Sequence, residues 1–144
     1  MNLYSKELIF LAKKNTASQG ILEDATHEYT SKNPICGDRV RWTAIVEDRK
    51  IIDLKHHTKG CLLCKAGAAL LFEQVHSGNR KTAEVQELIC HYSTQIEQLK
   101  TDDVLDDPVE GLDVFTGLSK APSRVSCVLL PFTGLQKALG GNQK

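Results

Sequence analysis

The side chains with most scope for chemistry in this 144-residue chain are its five cysteines, Cys36, Cys61, Cys64, Cys90 and Cys127. An odd number argues against a closed disulfide framework. Thiols that stay reduced are free to ligate metal or attack electrophiles. Cys36 sits in Asn33-Pro34-Ile35-Cys36-Gly37-Asp38, a run of turn formers that sets a soft sulfur two positions from a hard carboxylate. Cys61 follows Gly60 and opens a segment rich in Leu and Ala. There it meets the positive end of a helix macrodipole, which with Lys55, Lys59 and Lys65 nearby favours the thiolate. Cys127 falls near the start of the last helical segment, one turn after Arg124. Three thiols at the ends of elements, each beside a polar or cationic group, fit ligating or reactive cysteines better than core filler.

The other two cysteines read differently. Cys64 lies three residues after Cys61, on the same helix face. An extra ligand, half of a labile disulfide and a small apolar filler all suit it, the filler being the simplest. Cys90 points about 120° from the mean direction of Val85, Leu88, Ile89, Tyr92, Ile96 and Leu99, a solvent-side position with no assigned role. His56 and His57 are metal-ligand types close to Cys61, but on a strand they face opposite sides, and neither is assigned as a ligand. His27, His76 and His91 read as surface residues. No activating motif accompanies a Cys–His pair of the protease kind.

These residues need elements to position them. Residues 3–14 read as a short amphipathic helix, and Glu28-Tyr29-Thr30 as a strand. Val40, Trp42, Ala44 and Val46 alternate through 39–46, the mark of a half-buried strand. Glu47-Asp48 turns the chain and 49–57 returns as the second arm of a hairpin. Helices are expected at about 61–77, ending at Gly78 as C′ residue, at about 82–99, and at about 122–140, ending at Gly140-Gly141. Pro131 either kinks the last helix or starts its regular part. The segment 101–113 carries six acids and no base and reads as a solvated loop. The order describes an α+β fold, a small antiparallel sheet packed against several helices, in one domain over 1–144. Eighteen Lys and Arg balance eighteen Asp and Glu, which argues against nucleic-acid binding. No apolar run nears the roughly 20 residues of a membrane helix. Lys6 and Glu7 interrupt any signal-peptide core, so a cytoplasmic location is expected.

The order Asn33-Pro-x-Cys36-Gly37-Asp38, then Gly60-Cys61 twenty-five residues on, then Gly117-Leu-Ser-Lys-x-Pro-x-Arg-x-x-Cys127 resembles the IscU/SufU/NifU N-terminal family of iron–sulfur cluster assembly scaffolds. The SufU branch is the nearer: Cys61 and Cys127 are 66 residues apart, leaving room for the acidic segment, and Ser126 precedes the third cysteine where IscU-type members carry His. The resemblance implies a site of Cys36, Asp38, Cys61 and Cys127, with Arg124 as the arginine beside the third cysteine. It implies a scaffold that takes sulfur from a cysteine desulfurase, at Cys36 or Cys127. The transient cluster, of the 2Fe–2S kind, is then passed to apo acceptor proteins. One alternative is a Zn²⁺-dependent sulfur acceptor of SufU type, and another a zinc-stabilised interaction module without chemistry. Three thiolates and a carboxylate suit both Zn²⁺ and iron. The chain departs from the family pattern at Leu11–Ala17, where a His-x-x-x-Pro-x-Asn stretch is usual. It also departs at Cys64 (commonly small, often Ser), at His56 (commonly Phe) and at Leu130-Pro131-Phe132.

Overall fold

The structure, a computed structural model, describes residues 4–76, 79–102 and 105–140. The C′ position expected at Gly78, Gly141, the start of the first helix at Leu3, and Asp103 lie outside those residues. The alternation at 39–46 becomes β2 (Arg39–Glu47), paired on one side with β1 (His27–Lys32) and on the other with β3 (Lys50–Lys59). The three strands form an antiparallel sheet in the order β1-β2-β3. Val40, Trp42 and Ala44 are fully buried on its inner face, and the register sets Trp42 between Tyr29 and His56. The β2–β3 turn falls one residue later than expected, at Asp48 (φ 53°) and Arg49 (φ 64°). Two left-handed residues give a turn whose twist matches the flanking strands, and no Asn-Gly or Asp-Gly pair marks it. An irregularity at Ile45/Val46 shifts the register, so that Ile51 and then Leu54, His56 and Thr58 are buried.

The helices stack on the inner face of the sheet. Helix α1 (Lys6–Ser18) starts at Ser5, whose Oγ accepts the Leu8 N–H at 3.2 Å. Helix α2 (Leu62–Val75) buries nine residues, from Leu63 to Val75, because it lies between α1 and the last helix; of its residues only Glu73 is exposed. Helix α3 (Thr82–Gln98) buries the stripe Val85, Ile89, Tyr92 and Ile96 and leaves Cys90 exposed. Helix α4 (Val125–Leu139) crosses β1 and β2 and packs on α2 and α3.

The structure decides between two expectations at Pro131 and corrects one at the acidic segment. Helix α4 runs through Pro131 rather than beginning there. Val128, Phe132 and Leu135 are fully buried, and that burial outweighs the one backbone bond proline removes. The carbonyls beside it are used by the sheet: Trp42 Nε1–H donates to Pro131 O at 2.9 Å, and Ser31 Oγ donates to Leu130 O at 3.2 Å. The end of the acidic segment is not a free loop. Leu112, Phe115 and Leu118 are buried within 3₁₀ turns at Leu112–Phe115 and Leu118–Lys120, their three-residue spacing matching that helix. The expected start of the last helix is a third such turn, Pro122–Arg124. Tyr92 Oη donates to Glu110 O at 2.6 Å and fastens the segment to α3. Asp102, Asp106, Asp107, Glu110 and Asp113 remain exposed. Among the described residues no helix is long and apolar enough to cross a membrane.

A polar group inside this core makes it sensitive to acid. His56 is fully buried, with Nε2 on Ser18 Oγ and Nδ1 on Thr58 Oγ1 at 2.7 Å, and it packs between the Trp42 and Phe72 rings. Burial, and after it the charges of His57 and Lys55, lower its pKa from 6.5 to about 4. Above the unfolded value the imidazole is neutral in both states. As the pH falls, the unfolded chain takes up a proton that the native state refuses, so stability is lost between about 6.5 and about 4. The loss is on the order of 3 kcal/mol across that window. Urea unfolding at pH 7 and pH 4.5 should therefore show a larger fall in midpoint for the native sequence than for His56→Phe. Equal falls would contradict the assignment.

Candidate metal centre

The site begins as a hairpin loop. Between β1 and β2 the chain closes residues 33–38 by Asn33 N–H to Asp38 O at 2.9 Å and Gly37 N–H to Asn33 O at 2.8 Å. Asn33 Oδ1 accepts the Ile35 N–H at 3.1 Å, the Asx turn that an Asn-Pro start favours. Gly37 adopts φ 76°, a left-handed conformation that a side chain would strain. The outcome is an exposed Cys36 at the tip and a buried Asp38 at the base.

Asp38 reaches the start of α2. Its Oδ1 accepts the Cys61 N–H at 3.0 Å and its Oδ2 lies 3.6 Å from Cys61 Sγ. A carboxylate at a helix N-terminus satisfies an orphan donor and meets the positive end of the dipole. Gly60 makes room for it: a Cβ there would fall 2.5 Å from Asp38 Oδ1. Cys61 is the N-cap residue of α2, its side chain not spent on capping.

The third side comes from α4. Cys127, in the first turn, is 2% exposed, and its Sγ is 3.7 Å from Cys36 Sγ. Burial, and then the neighbouring Cys61, push the Cys127 thiol well above its ordinary range. Arg124, the N-cap residue of α4, lines the same cavity as Cys127, and the nearby Cys127 side chain raises the guanidinium pKa further. Asn33 Nδ2 donates to Ser126 Oγ at 3.2 Å and braces the Cys36 loop against α4. A cavity of about 320 Å³ opens between Cys36, Ile35, Arg124 and Cys127, with Ile35 94% exposed at its edge.

Cys36, Asp38 and Cys127 place their ligand atoms within 4.8 Å of one another, and Cys61 joins them through Asp38. Zn–S bonds of about 2.3 Å in a tetrahedron set sulfur atoms about 3.8 Å apart, close to the 3.7 Å between Cys36 and Cys127. The donor set fits a metal ion that prefers thiolates. Cys64 is fully buried below it. Burial, then Asp38 and the three other thiols, push its pKa up, so at rest it is a neutral thiol in a filler position. His56 is engaged at both nitrogens by Ser18 and Thr58. The brace from Asn33 to Ser126 and the close approach at Gly60 escaped the sequence reading. Asn33-Pro34 signalled the turn, but nothing local signalled a partner 93 residues away.

Zinc content after refolding with Zn²⁺ should be stoichiometric for the native sequence and for Cys90→Ser. It should fall to a small fraction for Cys36→Ser, Cys61→Ser and Cys127→Ser; unchanged metal in all three would remove the site. Gly60→Ala, which displaces the Asp38 carboxylate, should also lose zinc and cost about 1–3 kcal/mol of stability.

Comparison with known proteins identifies the family. Over 141 residues the chain is 28% identical to the zinc-dependent sulfurtransferase SufU of Bacillus subtilis, covering 95% of this chain and 92% of that one. It is 27% identical over 138 residues to the iron–sulfur cluster assembly scaffold protein IscU of Thermotoga maritima, with the same coverages. A crystal structure of a SUF-system cluster assembly scaffold protein from Fervidobacterium islandicum superimposes with a TM-score of 0.76 at 27% identity, covering 95% of this chain and 96% of that one. The N-terminal part of a NifU-like protein from Brucella abortus shares the fold, with a TM-score of 0.78 at 18% identity over 96% and 92% of the two chains. The NifU-like N-terminal domain profile matches residues 4–100. That span holds Cys36, Asp38 and Cys61 but stops short of Cys127. The chain belongs to the NifU-like N-terminal domain family.

Proposed function

We propose that this protein is an iron–sulfur cluster assembly scaffold, a single domain that takes sulfur from a cysteine desulfurase and builds a transient cluster for apo acceptor proteins. The observation that carries the reading is the convergence of Cys36, Asp38, Cys61 and Cys127 from one loop and two helix starts. One of the thiols is exposed while its partner, Cys127, is buried. Cys36 is the acceptor in this reading, because a desulfurase persulfide can reach the loop tip but not Cys127. The Cys36 thiolate attacks the outer sulfur, the persulfide S–S bond breaks, and the desulfurase thiolate leaves with the bonding pair. Two electrons from an external reductant release that sulfur from Cys36 as sulfide, and Cys127, 3.7 Å away, with Cys61 then serves as ligand for the growing cluster, the substrate of the site. Asp38 is a weaker donor to iron than a fourth thiolate, which suits a cargo that must leave.

A second reading, a zinc-dependent sulfur acceptor of SufU type, is favoured by the compactness of the donors, whose spacing suits one ion. Bound zinc would hold the thiols as thiolates between transfers. Arg124, which lines the same cavity as Cys127, supplies a cation beside the sulfur that an incoming protein could draw away.

Metal analysis combined with anaerobic reconstitution using iron, cysteine and a desulfurase separates the two. A visible chromophore that passes to an apo acceptor supports the scaffold. Tight zinc, faster desulfurase turnover and no chromophore support the acceptor. Under the scaffold reading, Asp38→Ala should lengthen the lifetime of the chromophore in the presence of an apo acceptor. A shorter lifetime counts against Asp38 as the exchangeable ligand.

A further inference from the structure

The metal set uses three of the thiols at this end of the molecule and leaves Cys64 unexplained. Cys64 is fully buried, free, and placed at the third position of α2, with Cys61 as the N-cap residue. N-cap and third position are the pair whose side chains reach across the first turn in a capping box. Here both are cysteines, in the run Cys61-Leu62-Leu63-Cys64. The turn between them is closed, with Lys65 N–H bonded to Cys61 O at 3.0 Å. Helix geometry sets Cα atoms three residues apart at about 5 Å, inside the window of about 4.4–6.8 Å that a disulfide needs. The Cβ atoms, about 5–6 Å apart in a regular turn, close to the required distance of about 4 Å by a backbone adjustment at Cys61, whose N-cap conformation (φ −72°, ψ 170°) already lies outside the helix. The two thiols differ in access: Cys61 is half-buried and Cys64 sealed. That is the arrangement in which an outer thiol meets the oxidant and an inner one resolves the product.

We propose that Cys61 and Cys64 form a reversible redox dithiol whose disulfide withdraws Cys61 from the metal set. The oxidant class is a low-molecular-weight disulfide such as oxidised glutathione. The Cys61 thiolate attacks one of its sulfurs, forming a mixed disulfide and releasing one glutathione thiolate. The Cys64 thiol then loses its proton and attacks Cys61 Sγ. The mixed bond breaks, the second glutathione leaves as a thiolate, and both thiolates are protonated. Two protein thiols are oxidised and one disulfide is reduced to two thiols. The oxidised chain keeps Cys36, Asp38 and Cys127 but lacks the donor that completes a tetrahedron.

The test uses the reduced, metal-free full chain in glutathione buffers of increasing oxidation, quenched in acid, alkylated and digested with trypsin. Cleavage after Lys59 and Lys65 yields one peptide, Gly60 to Lys65, that holds both cysteines. In the native sequence this peptide should become lighter by two hydrogens and lose both alkylation sites. In a Cys36→Ser, Cys127→Ser background, Cys64→Ala, and equally Cys64→Ser, should instead leave glutathione on Cys61, because no neighbouring thiol remains to resolve the mixed disulfide. The oxidised native chain should lose stoichiometric zinc binding and regain it after reduction by a dithiol. Both cysteines of this peptide remaining free while Cys36 and Cys127 become joined would overturn the proposal. Failure of Cys64→Ala in that background to trap glutathione would do the same. None of these readouts needs a desulfurase or a cluster, so they decide the dithiol independently of the assembly reading.

Discussion

Everything at the functional end of this molecule hangs on the Asp38 carboxylate. It leaves the loop between β1 and β2, is almost wholly buried, and receives the backbone N–H of Cys61. That bond joins the sheet to the N-terminus of α2 and sets the two chain segments that carry Cys36 and Cys61 in register. A buried carboxylate without donors is costly; here a helix N-terminus supplies one and the glycine at 60 lets it approach. The same oxygen pair then faces the thiols. The carboxylate thus has a structural oxygen on the helix and a second one directed at the place where a metal ion fits. Both functions depend on the absence of a side chain at residue 60.

The third wall is held from the opposite direction. Helix α4 is pressed onto the sheet by Phe132 and Leu135 and fastened by Trp42 and Ser31 to its own carbonyls. Its first turn is thereby fixed relative to β1, and Asn33 spans the remaining gap to Ser126. Cys127 is immobilised by packing, whereas Cys36 sits on a loop held chiefly by its own backbone bonds. A rigid thiol on one side and an accessible one on the other suit the proposed site, which must accept and release its cargo.

The sequence was read well where the chemistry is local. The turn Asn33 to Asp38, the alternation through Trp42, the stripe on α3 that turns Cys90 outward, and the helix opening at Cys61 each follow from neighbours within a few residues. Local rules fall short where distant packing overrules them. Pro131 is a helix breaker by its own chemistry, yet a buried face carries α4 through it. Leu112 stands among acids and reads as surface, yet the 3₁₀ turns around Phe115 take it into the core. His56 is a metal-ligand type close to Cys61, and the sequence assigns it no role. Its partners Ser18 and Thr58 make it a neutral core group instead, and Ser18 lies 38 residues away.

By itself the sequence determined which atoms are available: three thiols at element ends, a carboxylate two residues from one of them, and a helix start at another. Those properties reside in residue type and short spacing, which set turn, cap and strand preferences without reference to the rest of the chain. Only the tertiary structure decided that Cys36 and Cys127, separated by 91 residues, stand a tetrahedral edge apart, and that Cys64 is sealed beneath them. The reason is physical. Burial of the apolar faces of α2 and α4 fixes where the helix starts lie, and that burial is a property of the whole packed core.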